Sequence, residues 1–146
     1  MSKLLFVDDE PENLRFAIEI LLEVLPDSEI ILTETVDDTI NQLSNNAFDL
    51  VVMDIFIPMG KNLHQTLGPR GKKYEENLRH LGGLAILDFV EKMSVKPKIL
   101  AHTACTDYAL IEVLGDIVVD RIPKPAAVDI LLTEVRRHLG LLPSLR

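Results

Sequence analysis

The sequence predicts an α/β fold, a doubly wound five-stranded parallel sheet with helices on both faces. Three observations lead there. Short apolar runs alternate with amphipathic stretches along the chain, the pattern of repeated βα units. At 146 residues the chain is long enough for one domain with a proper core. Several of the apolar runs also end on acids, a hydroxyl or a lysine, as expected at the carboxyl edge of a parallel sheet, where ligands bind.

The first strand is Lys3 to Val7, stopping at Asp8-Asp9. Pro11 suits an early helical position, and Leu14, Ile18, Leu21, Leu22 and Leu25 mark one face of the helix that follows. Pro26-Asp27 breaks it. Ile30-Ile31-Leu32 is the second strand. Val36, Ile40 and Leu43 stripe a second helix, which Asn45-Asn46 ends. The third strand, Leu50-Val51-Val52-Met53, runs to Asp54. A third main helix begins near Gly83-Leu84, and Pro97 precedes the fourth strand, Lys98 to His102, which stops at Thr103-Ala104. Ala109, Leu110, Val113 and Leu114 mark a fourth helix ended by Gly115. The fifth strand, Ile117 to Ile122, leads into Pro123-Lys124-Pro125. Val128, Leu131, Leu132, Val135 and Leu139 stripe the last helix, which Gly140 closes.

Between Pro58 and Gly83 the rhythm fails. Five cations there, Lys61, Arg70, Lys72, Lys73 and Arg79, face two acids, Glu75 and Glu76, giving +3 within a chain of net charge −8. A connection this long without a clear period is uncommon in a compact domain and is often functional or mobile. Tyr74 to Leu81 suits a short helix.

The acidic balance argues against a general nucleic-acid binder and for selective partners. Cys105 is the only cysteine, so no intrachain disulfide forms and a reducing compartment fits. A buried, incidental thiol is its simplest role. Met1-Ser2-Lys3 opens no signal peptide, and no apolar stretch approaches the roughly 20 residues of a membrane helix. His64, His80, His102 and His138 show no metal-ligand spacing, and surface positions suit most of them.

The residues at the strand ends suit a metal-assisted phosphoryl transfer onto a carboxylate. A carboxylate is a weak nucleophile toward a phosphoryl group because both are negative, yet aspartyl phosphates form where that charge is neutralised. Asp8, Asp9 and Asp54 brought together repel one another and raise each other's pKa values. Magnesium relieves this, since it takes hard oxygen ligands, keeps several waters and accepts phosphate oxygen. Lys124 offers a compact positive charge, Thr103 a hydroxyl donor, and the Ala104 N–H a further donor. Taken singly, each has a plainer reading. Asp8-Asp9-Glu10 before Pro11 is also a helix cap, Asp54 a turn residue, Thr103 a loop start and Lys124 a solvated turn position. Four such residues at matching ends of four strands favour the joint reading.

In this set and order, Val7-Asp8-Asp9, Asp54 followed by Pro58, Thr103-Ala104 and Lys124-Pro125, the chain resembles the receiver domain of two-component response regulators. The resemblance runs from Lys3 to about Leu139 apart from the basic segment. It implies a flavodoxin-like sheet of order 2-1-3-4-5, with residues 1–140 as the receiver, an insertion at about 60–81, and 141–146 as a tail or the start of a linker. It implies that Asp54 is the phosphoacceptor, that Asp8, Asp9, Asp54 and the Phe56 carbonyl hold Mg2+, that Thr103 is the switch hydroxyl, and that Lys124 contacts the phosphoryl group. The Lys124-Pro125 bond is expected to be cis. The implied phosphodonor is a phosphohistidine on a sensor histidine kinase or histidine phosphotransfer protein, for which small acyl phosphates often substitute. The implied output is a protein contact, through the face of the fourth and fifth main helices and the fifth strand, to a downstream protein or a second copy. No direct contact with nucleic acid or membrane is implied, the setting is the cytoplasm, and the only catalysis is the chain's own phosphorylation and dephosphorylation.

Two departures stand out. The family usually has an aromatic residue three positions before the lysine, and here that position is Arg121, which we read as a surface residue. The insertion replaces a short turn, with Gly82-Gly83 resuming the pattern. It reads either as a basic flap over the phosphorylation site or partner, or as a tolerated loop, since long insertions cost little closure entropy. Two rival functions remain. One is a pseudo-receiver acting as a phosphorylation-independent interaction module, supported by Arg121 and the insertion. The other, a distant third, is an aspartate-nucleophile phosphohydrolase of the haloacid-dehalogenase kind, which wants an acid where Phe56 stands.

Overall fold

Leu4, Leu5, Phe6 and Val7 are all buried, which an amphipathic edge strand does not show. The computed structural model, which describes residues 2–60, 68–74 and 80–141, explains why. Strand β1 (Lys3–Val7) lies between β2 (Glu29–Thr33) and β3 (Leu50–Met53), and β4 (Lys98–Thr103) and β5 (Val118–Pro123) continue beyond β3. All neighbours are parallel and the order is β2-β1-β3-β4-β5, as expected. Helices α1 (Arg15–Val24) and α6 (Val128–His138) cover one face. Helices α2 (Val36–Asn45), α4 (Gly82–Glu91) and α5 (Tyr108–Leu114) cover the other.

Strand alternation divides the core accordingly. Leu5, Val7, Val51, Met53, Ile99 and Ala101 pack under α2, α4 and α5, while Leu4, Phe6, Leu50, Val52, Leu100 and Ile122 pack under α1 and α6. Pro11 opens a 3-10 turn, Pro11–Leu14, that feeds α1. Leu22 departs from the expected stripe, because Ala17 and Leu21 carry the buried face and Leu22 turns to solvent. Thr35 caps α2, its side chain accepting from the Asp38 N–H at 3.2 Å. Gly115 (φ 65°) and Gly140 (φ 76°) stand at the ends of α5 and α6 in the left-handed region. Ile117 belongs to a 3-10 turn, Gly115–Ile117, so β5 begins one residue later than expected.

The insertion differs more from its sequence reading. A short helix, α3 (Pro69–Lys73), occupies it, started by the proline at its first position. Tyr74 ends α3 and Leu81 precedes α4, so neither lies in the helix expected over Tyr74–Leu81, while 75–79 lie outside the described residues. Nor are residues 68–74 a free loop. Gly71 is buried, and Arg70 donates to Asp88 at 3.2 Å, to Glu91 at 2.7 Å and to the carbonyls of Val113 and Leu114 at 2.8 and 3.3 Å. The Arg70 pKa is raised: burial opposes its charge, but the hydrogen bonds and attraction of Glu91 and Asp88 outweigh it. Among the described residues no helix is long and apolar enough to cross a membrane.

Candidate functional site

The parallel ladder runs one bond beyond three strand ends, and those bonds set the site. The Asp8 N–H donates to Thr33 O at 3.0 Å, the Asp54 N–H to Val7 O at 3.0 Å, and the Lys124 N–H to Thr103 O at 3.0 Å. Asp8, Asp54, Thr103 and Lys124 are thereby brought to one edge of the sheet. A second regularity fixes side chains. Asp8 Oδ1 accepts from the Glu10 N–H at 2.9 Å, Asp54 Oδ1 from the Phe56 N–H at 3.2 Å, and Thr103 Oγ1 from the Cys105 N–H at 3.2 Å. Each is a local turn bond to the residue two further on. The helix-cap reading of Asp8-Asp9-Glu10 finds no support, since no side chain caps the Pro11 turn. The turn reading of Asp54 is correct but accounts for only one of its oxygens.

The other oxygens meet Lys124. Its Nζ lies 2.6 Å from Asp8 Oδ2 and 2.8 Å from Asp54 Oδ2, with both carboxylates buried. Burial opposes the Lys124 charge, but the hydrogen bonds and attraction of Asp54 and Asp8 prevail and raise its pKa. Asp9 is exposed, yet a carboxylate oxygen from each of Asp8, Asp9 and Asp54 lies within 4.8 Å of the others. This all-oxygen group fits a hard divalent cation, which prefers carboxylate oxygens and completes its shell with water. Phe56 follows two residues after Asp54 with its ring partly exposed. The Lys124-Pro125 bond is cis, as expected.

The loop after Asp54 is held from the insertion side. The Gly82 and Gly83 N–H groups donate to Ile57 O at 2.8 Å and Ile55 O at 3.0 Å. A Cβ on Gly83 would lie 2.6 Å from Ile55 Cα and 2.8 Å from Asp54 O, so only glycine allows this approach.

Sequence reasoning missed His102. It is 7% exposed, on the α1/α6 face of β4, whereas surface positions were expected for most histidines. Its pKa is lowered, first by burial and then by the Lys124 charge, with Asp8 and Asp54 opposing. Strand alternation in a sheet covered on both faces was the available signal. His102 and Lys124 line a cleft of about 480 Å³ with Asn13, Ala104 and Pro125. His80 is exposed, His138 partly buried, and His64 outside the described residues. Arg121 is exposed, as read, and reaches the Cys105 carbonyl at 3.5 Å. Cys105 itself is a buried free thiol.

By sequence no protein-family model and no curated protein matches the chain. By structure it matches widely. A CheY-like response regulator receiver domain protein from Methanospirillum hungatei superposes with a TM-score of 0.72 at 18% identity, over 96% of this chain and 94% of its own. The chain has the fold of a response-regulator receiver domain. Receiver-fold relatives include a signal receiver domain of two-component signal transduction from Clostridium thermocellum, at TM-score 0.68 and 20% identity over 94% of this chain and 97% of its own. The response regulator TrrA from Thermotoga maritima, solved with Mg2+-BeF, has TM-score 0.67 and 23% identity over 94% of this chain and 99% of its own.

Proposed function

We propose that this receiver-fold chain is a phosphoacceptor in a two-component or phosphorelay system, phosphorylated on Asp54 in a magnesium-dependent reaction. The observation that carries the proposal is the placement of Lys124 between Asp8 Oδ2 and Asp54 Oδ2, beside a third carboxylate. In the transfer, an Asp54 oxygen forms a bond to phosphorus as the bond to the donor's imidazole nitrogen, or to an acyl oxygen of a small donor, breaks. The departing group takes the electron pair of that bond. Lys124 offsets negative charge on Asp54 and on the incoming group. Thr103 Oγ1 already accepts from Cys105, which leaves its hydroxyl hydrogen to donate to a phosphoryl oxygen. Asp8, Asp9, Asp54 and the Phe56 carbonyl would hold Mg2+, which when bound supplies charge neutralisation at the phosphoryl oxygens.

The donor would be a phosphohistidine carried on a kinase or phosphotransfer protein. Output runs through protein contacts, with residues 1–140 as the receiver unit and the cytoplasm as its setting. Intact mass after incubation with acetyl phosphate and Mg2+ tests the reading. The expected result is a gain of about 80 Da, absent without Mg2+ and in Asp54→Asn. Failure to gain mass together with failure to bind beryllofluoride in the presence of Mg2+ refutes it and leaves the pseudo-receiver.

A further inference from the structure

A second group of potential ligands lies away from the phosphorylation site, on the α6 side of β5. Asp120 belongs to β5, the edge strand of the sheet, and Glu134 and His138 are one turn apart on α6. The i,i+4 spacing puts both helix residues on one face, and alternation turns Asp120 to the same side as the buried Ile122. His138 Nε2 lies 3.4 Å from Asp120 Oδ2 and 3.7 Å from Glu134 Oε2, with all three ligand atoms within 4.8 Å of one another.

Each carboxylate is tied down by its other oxygen. Asp120 Oδ1 accepts from the Arg121 N–H at 2.8 Å, and Glu134 Oε1 accepts from the Arg137 guanidinium. That leaves Oδ2 and Oε2 turned toward the imidazole, each available as a single-oxygen ligand. Outer contacts that hold ligands in this way are a usual part of metal sites. Glu134 Oε2 is shielded from solvent and has no hydrogen-bond partner among the described residues. A carboxylate oxygen in that condition is costly and calls for an explanation.

We propose that Asp120, Glu134 and His138 form a site for a zinc-class divalent ion that joins α6 to the edge of the sheet. One imidazole with two carboxylates suits zinc and its neighbours rather than magnesium, which prefers oxygen throughout. Bonds of about 2.0–2.2 Å in a tetrahedron set ligand atoms roughly 3.3–3.6 Å apart, close to the two spacings from His138 Nε2. Two carboxylates and a neutral imidazole balance a divalent charge, and a fourth position is left for water. The competing account is a metal-free His138 whose Nε2–H donates to Asp120 Oδ2 at 3.4 Å. It leaves Glu134 Oε2 at 3.7 Å, beyond hydrogen-bond range.

Titration calorimetry of Zn2+ into the whole chain, with excess Mg2+ to occupy the acidic strand-end site, tests the proposal. The expected result is one equivalent bound in the wild type and in Asp54→Asn, weakened at least about tenfold in His138→Gln and in Glu134→Gln. A tetrahedral Co2+ absorption band should appear in the wild type and be lost in His138→Gln. Circular dichroism checks that the variants fold. Absence of binding overturns the proposal, as does binding that survives His138→Gln. Binding lost in Asp54→Asn overturns it too, since the zinc would then occupy the phosphorylation pocket.

Discussion

Replacing Arg70 by methionine keeps an apolar stem of similar length and removes the charge that joins three elements. Asp88 is 4% exposed and the Arg70 side chain 12%, so the lost partner leaves a buried carboxylate without its cation. Breaking a buried pair from one side costs about 3–5 kcal/mol. Here the loss is partly offset, because Asp88 keeps the Gly71 N–H at 2.9 Å and the Arg70 N–H at 3.4 Å. Glu91 is about half exposed, so its share is small. The carbonyls of Val113 and Leu114 lose donors where α5 ends. The expected destabilisation is about 2–4 kcal/mol. For a chain of this size that corresponds to a fall in Tm of roughly 5–12 °C. Urea unfolding should show a lower midpoint with an unchanged m-value. Hydrogen exchange should rise first in α3 and at the end of α5. Asp88→Asn in the Arg70→Met background should recover part of the loss, since it removes the stranded charge. A variant within about 0.5 kcal/mol of wild type would refute the claim that Arg70 anchors the insertion.

Lys124→Met removes the cation between Asp8 and Asp54. The rate of acetyl phosphate labelling should fall by about ten- to a hundredfold, read by intact mass over time. His102 has a folded-state pKa below its ordinary 6.5, so the unfolded chain binds the proton more readily. Its contribution to stability is complete above that ordinary value and is lost as the pH falls from there toward the folded pKa. Urea midpoints at pH 7.5 and 5.5 should therefore differ less in His102→Gln than in the wild type. Gly83→Ala places a methyl against the backbone of Asp54 and Ile55. It should cost about 1–3 kcal/mol by thermal unfolding and slow the labelling of Asp54.

The strands and main helices were legible because each carries its own period, and the strand ends because acids, a threonine and a lysine interrupt apolar runs. What escaped depended on the environment of a single side chain. Leu22 satisfies a helical stripe as well as Leu21 does, and only the position of the sheet decides which of them is buried. His102 at a strand end reads as solvated until the covering of that face by α1 and α6 is known. Pro69 was a usable signal for α3, since proline suits the first helical position, but the five residues of α3 are too few to show a period. Glu134 and His138 have a visible i,i+4 spacing, whereas Asp120 joins them only through the packing of α6 beside β5.

Among the described residues of the insertion, the positive charge has two fates. Arg70 turns inward and is neutralised by Asp88 and Glu91, so it is not available to a partner or to a phosphoryl group on Asp54. Lys72 and Lys73, on the same short helix, are exposed. The inward residue acts on α4, and α4 begins with the two glycines that hold the loop after Asp54. A connected path of side-chain and backbone hydrogen bonds thus runs from the insertion through α4 to the loop after Asp54. Two readings of the insertion can be separated on this basis. If it acts by electrostatics, Lys72→Gln with Lys73→Gln should change labelling of Asp54, with a dependence on salt. If it acts through the position of α4, Arg70→Met should change labelling and the lysine pair should not. The inward bonds of Arg70 favour the second outcome, and the reverse pattern would restore the basic flap.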